Sequence, residues 1–304
     1  MGVHGEKLTA ALTNDKLPPG DIPRVEATIE KYSTWVQEME GMTSDTLPKL
    51  VRELVQSLNE YKLHVDLFIF DSPNDFLYTQ KEQMEIDNSV VEEFLPVLVR
   101  KCLDLAGKGD GIDIALQTPM FSSVYFKSNL ACPDIGGGFE ISMKDQDFAL
   151  SRKMYLQASS TKGFDADKTV TRATNIGYIL AEIKTNLNKT MFLEALAKAR
   201  DFKFVVTGAK YFLLCDFLDM PPVSSAMTDI DEVLILRKAR RLNSSVRTNY
   251  ATYNGRLSTR HDYVTFLQEN PYAPEVFLRF VEHILAQFNN ETLAEDDFLC
   301  RGYL

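Results

Sequence analysis

The sequence predicts an α/β protein: a helical N-terminal region, a core of short strands with a helix among them, and a mixed, partly basic C-terminal segment that ends in helix. Three observations lead there. Through roughly the first hundred residues apolar positions recur at three and four, the period of an amphipathic helix. From Ile112 that period gives way to short runs of β-branched and aromatic residues bounded by turn formers. After Pro221-Pro222 the helical period returns, most clearly over residues 274–288.

Taken in order, helices are predicted over residues 24–39, 46–61 and 89–106. In the third, Val90, Val91, Phe94, Leu95, Leu98, Cys102 and Leu105 form one stripe that fits packing against a neighbour. Residues 65–70 are an apolar run too short to choose between a strand and a buried turn of helix. Strands are expected at 123–126, 138–143, 148–156 and 176–183, with the polar stretch 159–174 as the loop between the last two. A helix over 190–199 and strands at 204–207 and 211–217 complete the core. This divides the chain into a helical region (1–111), a core (112–220) and a basic, helical C-terminal segment (221–304).

A chain of 304 residues with 45% hydrophobic and 25% charged residues can bury a substantial core. Its apolar runs are too short for the roughly 20 residues a bilayer span requires. The first thirty residues scatter Lys7, Asp15, Lys16, Asp21 and Arg24 among prolines and lack the apolar stretch of a signal peptide, so a cytoplasmic location is expected. Cys102, Cys132, Cys215 and Cys300 stand too far apart for a zinc knuckle or redox pair and read as reduced core thiols. His4, His64, His261 and His283 form no metal-binding pair, which argues against a zinc hydrolase. The glycines at 107–111 and 136–138 match no phosphate-binding or dinucleotide pattern and read as turns.

The net charge of −10 opposes phosphate binding by the molecule as a whole, but the charge is unevenly spread. Between Val233 and His261 stand Arg237, Lys238, Arg240, Arg241, Arg247, Arg256 and Arg260 without a single Asp or Glu. Such an island is either a solvated helix face or a surface for nucleic acid. Asn249, Tyr250, Tyr253 and Asn254 within it would add base-edge donors and stacking surfaces.

Chemistry concentrates at Ala181-Glu182-Ile183-Lys184. On a strand, alternate side chains share a face, so Glu182 and Lys184 lie side by side while Ala181 and Ile183 anchor the other face. A carboxylate that can hold Mg²⁺ beside an ammonium that can orient water is the pair phosphodiester hydrolysis needs. Magnesium is held by one or two carboxylates with waters and phosphate oxygens, so a second acid is expected from a neighbouring strand. Asp147 opens an apolar strand at a suitable separation and is favoured; Asp134, in a Pro-Asp dipeptide before three glycines, is the alternative. Asp145 shares the strand face of Asp147. Asn186, Asn188 and Lys189 follow in a turn where capping is the simpler role for the asparagines, Thr190 opens the next helix, and Glu194 and Lys198 have the spacing of an exposed pair.

The stretches ILAEIKTNLNKTMFLEALAKARDFK (179–203) and KDQDFALSRKMYLQAS (144–159) resemble the core of type II restriction endonucleases of the PD-(D/E)xK superfamily, in particular the two-subunit enzymes of the BbvCI and Bpu kind. The resemblance covers about a quarter of the chain and departs from the superfamily's namesake motif, since Gln146 and not proline precedes Asp147. It implies a mixed sheet flanked by helices, Mg²⁺ dependence, and hydrolysis of double-stranded DNA at a specific sequence leaving 5′-phosphate ends. It implies Asp147 and Glu182 as metal ligands, the carbonyl of Ile183 completing the coordination, and Lys184 as the catalytic lysine. The basic residues from Arg237 to Arg260 then become the expected DNA track, and a second nuclease subunit the expected partner, a heterodimer before a homodimer. A non-catalytic DNA-binding or assembly subunit, and a nicking or repair nuclease of the same superfamily, are the alternatives.

Overall fold

The computed structural model describes residues 2–131 and 133–288. Its first third is helical: α1 (Val3–Leu12), α2 (Ile22–Gly41), α3 (Leu47–Phe70), α4 (Phe76–Met84) and α5 (Ser89–Leu105). Prolines stand in the first turns of α2 and α3, where a missing N–H costs nothing. The ambiguous run at 65–70 is the last stretch of α3, buried because Val65, Phe68, Ile69 and Phe70 face the core.

The sheet contains β1 (Asp113–Phe126), β2 (Phe139–Ser159), β3 (Thr169–Leu187), β4 (Lys210–Leu218) and β5 (Glu232–Arg240), paired in that order. The β1–β2 and β2–β3 pairings are antiparallel, whereas β3–β4 and β4–β5 are parallel. Helix α6 (Lys189–Val205) makes the crossover between β3 and β4 that a parallel pair demands. The runs expected as two strands at 138–143 and 148–156 are one continuous β2. Residues 204–207 are not a strand: Phe204 and Val205 finish α6, and Phe204 is 91% exposed. Beyond Met220 the sheet continues into β5, and α7 (Ser244–Thr248), α8 (Tyr253–Ser258), α9 (Arg260–Glu269) and α10 (Pro274–Gln287) follow.

Alternation along the strands splits the core in two. Ile179, Ala181, Ile183, Phe212 and Leu214 pack with α3, α5 and α10 on one face. Leu180, Tyr211, Leu213 and Cys215 pack with Ala195, Ala199 and Phe202 of α6 on the other. Cys102 and Cys215 are buried free thiols, while Cys132 and Cys300 lie outside the described residues. Among the described residues no helix is long and apolar enough to cross a membrane.

Candidate active site

The β2–β3 ladder places Phe148 opposite Ala181, and therefore Asp147 opposite Glu182. Both acids and Lys184 fall on the α6 face, because Ala181 and Ile183 are committed to the other core. Asp147 Oδ2 accepts a hydrogen bond from the Ile183 N–H at 2.9 Å and lies 3.4 Å from Lys184 Nζ. Lys184 Nζ is also 3.6 Å from Glu182 Oε2, so one ammonium bridges the two carboxylates. The Glu182 side chain is 3% exposed, whereas those of Asp147 and Lys184 are each 30% exposed, which leaves the site open on one side. Burial works against the charge of Lys184, but Asp147 and Glu182 outweigh it and hold its pKa above the ordinary lysine value. With both carboxylates beside it and no metal, the residue is accordingly held as a cation.

Asp134 is elsewhere. It is exposed in the turn between β1 and β2, and its neighbour Gly136 packs against Ala158 and Val170. Val170 precedes Glu182 by twelve positions on β3, which at about 3.3 Å per residue is on the order of 40 Å. The three glycines explain the placement: all have positive φ, and a Cβ at Gly136 would approach the Ala158 carbonyl oxygen to 2.6 Å. Asp134 belongs to that turn and is no companion to Glu182. Ile183 meets the site through its N–H on Asp147, the contact given above. Asp145 is exposed. Asn188 caps α6 by accepting from the Met191 N–H at 3.0 Å.

Two further residues contact Glu182, and a buried acid on α5 feels the charge of Asp147. Tyr211, on β4 and fully buried, donates its hydroxyl to Glu182 Oε1 at 3.0 Å. Lys198 reaches in from α6 to the same oxygen, so it is not spent on a surface pair with Glu194. On α5, Glu92 is 4% exposed and is held by Asn88 at 2.9 Å and by Gln117 at 3.0 Å. Burial, and next the charge of Asp147, lift the Glu92 pKa to about 7. Gln117 stands between the residues paired with Phe148 and Gln146, in the left-handed region at φ 43°. A strained non-glycine residue of this kind persists only where its surroundings enforce it. Glu92 was visible in the sequence as an acid inside an apolar stripe. Tyr211 carried no such signal, and Lys198 resembled half of a routine helix pair.

The basic run divides. Arg256 is 1% exposed and donates to the carbonyls of Phe70, Ser72, Asn74 and Tyr250 and to Asp75. Arg237 is 6% exposed and engages the Asn270 carbonyl at 2.9 Å and Asp66 at 3.3 Å. These two hold the fold together and are not available to DNA. For Arg237 the reason is a bulge in β5: Cys215 pairs with Ile235 but Phe217 with Ala239, and Lys238 adopts φ 51°. The extra residues turn Arg237 inward. Lys238, Arg240 and Arg260 are exposed, and Arg241 and Arg247 are half-buried. Arg241 and Arg247 line a cleft of about 410 Å³ together with Thr185 and Asn186, the residues that follow Lys184.

The donor set suits a hard divalent cation. Two carboxylates converge beside a site open to solvent, and among the described residues no group of three or more His, Cys, Asp or Glu forms a metal cage. A pair of carboxylates completed by water and phosphate oxygens is an ordinary magnesium arrangement.

Comparison with known proteins gives three findings. A family model described as Bpu10I restriction endonuclease matches residues 83–304. No curated protein matches. Among solved structures, a chain of the "native BbvCI A2B2 tetramer at low resolution" aligns at 16% identity and a TM-score of 0.42, covering 87% of this chain and 98% of that one.

Proposed function

The chain belongs to the Bpu10I restriction endonuclease family, and from that premise we propose that it is a subunit cutting one DNA strand per site by Mg²⁺-dependent hydrolysis, with Asp147, Glu182 and Lys184 as its centre. The observation that carries this reading is the bridging of both carboxylates by one ammonium on adjacent strands. A magnesium ion held by Asp147 and Glu182 would polarise the scissile phosphate and acidify a bound water.

The protein's own groups do the rest. The Ile183 N–H fixes Asp147, and the buried Glu182 cannot swing to solvent. Lys184, charged and half-open to solvent, is placed to hold the attacking water and to offset negative charge growing on the phosphate. Water attacks phosphorus in line, the 3′ oxygen leaves with a proton, and the 5′-phosphate stays on the other fragment. The DNA track is drawn by Lys238, Arg240, Arg241, Arg247 and Arg260, the members of the basic run that reach the surface. The helical region of residues 1–111 supports the core of 112–220, and the segment 221–304 supplies DNA contacts. One such centre cuts one strand, so a second nuclease subunit is the expected partner, in a heterodimer where the site is asymmetric.

The test is plasmid cleavage with Mg²⁺, using the chain alone and mixed with any similar-sized protein encoded beside it. Glu182→Ala and Lys184→Ala should abolish this subunit's nick while retaining the fold by circular dichroism. Unchanged cutting by either variant would reject the assignment.

A further inference from the structure

We propose that Tyr211, with Lys198 beside it, is a positioning residue that makes Glu182 a one-oxygen ligand. The inference rests on Glu182 being a metal ligand and adds how its carboxylate is oriented.

A carboxylate has two oxygens and about four lone-pair directions. At Glu182 the two donors within hydrogen-bonding distance go to the same oxygen, the Tyr211 hydroxyl at 3.0 Å and the Lys198 ammonium both meeting Oε1, while Lys184 stands farther off Oε2 at 3.6 Å. Oε2 is left facing Lys184 and, across it, Asp147. Donors serving only to offset burial would be expected to divide between the two oxygens. Here they converge on one, and the other oxygen points toward the second acid.

The holders are themselves fixed. Tyr211 is fully buried, its ring stacks with Phe202 of α6 at a centroid distance of 6.2 Å, and its backbone N–H donates to Asp231 at 2.8 Å. Lys198 is carried by a helix whose Ala195 and Ala199 are fully buried against the sheet. Small side chains at those positions let α6 approach closely enough for a lysine to reach β3. The clamp therefore ties the carboxylate to β4 and to α6 at once. Partners of this kind, one contact removed from a metal, commonly set its affinity by 10–100-fold.

The experiment is Mn²⁺ titration of the full chain followed by electron paramagnetic resonance, which reads binding without turnover. Tyr211→Phe removes a single donor with no change of charge and should weaken Mn²⁺ binding by about 10-fold or more in a chain that circular dichroism shows still folded at the assay temperature. Glu182→Gln should lose the site. Should Tyr211→Phe bind like the parent while Glu182→Gln does not, the clamp is wrong and the metal site stands. Should Glu182→Gln bind like the parent, both fall. If Tyr211→Phe does not fold, Lys198→Met decides. Deleting a nearby cation strengthens metal binding by Coulomb's law alone, so weaker binding in that variant supports orientation, and equal or tighter binding overturns it.

Discussion

Replacing Arg256 by methionine tests whether a basic residue in the middle of a basic run can belong wholly to the fold. The guanidinium spends all five of its N–H donors: Nε on the Phe70 carbonyl at 2.9 Å, Nη1 on Tyr250 and Asp75, and Nη2 on Ser72 and Asn74, the last four at 3.0 Å. Its carbon lies 5.1 Å from the centre of the Tyr78 ring. It thereby pins the end of α3 and the start of α4 to the loop before α8. Gly255 is what allows the approach, since a Cβ there would come within 1.8 Å of the Asn249 carbonyl oxygen. Methionine keeps much of the apolar stem but strands several buried carbonyls, while the half-exposed Asp75 carboxylate stays hydrated. Leaving a buried acceptor unpaired costs about 1–3 kcal/mol, so losing several at once should cost roughly 3–5 kcal/mol, a large share of an ordinary domain's roughly 5–15 kcal/mol. With a urea m-value of about 3 kcal/mol/M, the unfolding midpoint should fall by about 1–2 M.

The companion measurement is the salt dependence of non-specific duplex binding under folding conditions. Each phosphate contact contributes about 0.9 to the logarithmic slope. Arg256→Met should leave that slope alone. Arg240→Ala, at an exposed position without a hydrogen bond or ion pair among the described residues, should lower it by about one and move stability by no more than about 0.5 kcal/mol. An Arg256→Met protein that unfolds at the parent's urea concentration and loses a unit of salt slope would mean that the guanidinium meets DNA, and the burial argument would be refuted.

Two predictions concern pH. Glu92 rises from an ordinary 4.5 to about 7 on folding, so the folded protein holds more protons between those values and stability falls as pH rises through them, by up to about 3 kcal/mol. Glu92→Gln should abolish that fall, its advantage over the parent growing from pH 4.5 to 7; parallel stability curves would contradict it. His4 is fully buried between Ser89 at 2.9 Å and Tyr61 at 2.8 Å, and burial, then the charge of Lys62, lower its pKa to about 3. Because the unfolded imidazole takes its proton near 6.5, stability is lost as pH falls below that value, and the native ring should show no NMR titration between pH 8 and 5. A midpoint near 6.5 in the folded state would count against the buried contacts.

The parts legible in the sequence were those set by one strand or one helix. Alternation alone put Glu182 and Lys184 on a common face, and an apolar stripe alone gave α5. Asp147 could be favoured over Asp134 because it opens an apolar strand, although pairing it with Glu182 required the register of two strands 35 positions apart. Whatever depended on a third element stayed hidden. Tyr211 reaches Glu182 only because β4 returns parallel to β3, and Lys198 turns inward only because α6 docks on small residues. β5 was missed for a related reason: its charge spoke louder than its alternation, and the bulge at Arg237 and Lys238 breaks the two-residue period that identifies a strand.

That bulge also bears on how an acidic chain handles a polyanion. Of the seven basic residues in the run, Arg237 and Arg256 are buried, while Lys238, Arg241 and Arg260 pair with Glu275, Asp219 and Asp71. Among the described residues Arg240 and Arg247 remain without a carboxylate partner. The positive field of this surface is therefore much weaker than the composition suggests, and the net charge of −10 works against it. At this surface a chain so equipped gains little from non-specific attraction to phosphate. Beyond exposed cations elsewhere on the chain such as Lys189 and Arg200, added grip would come from ion pairs that open on contact with DNA, each exchanging a carboxylate for a phosphate at small net cost, or from the surface of a second subunit. Both routes make tight binding conditional on a fitting partner, which is the behaviour a site-specific nuclease requires if it is to leave the rest of the DNA uncut.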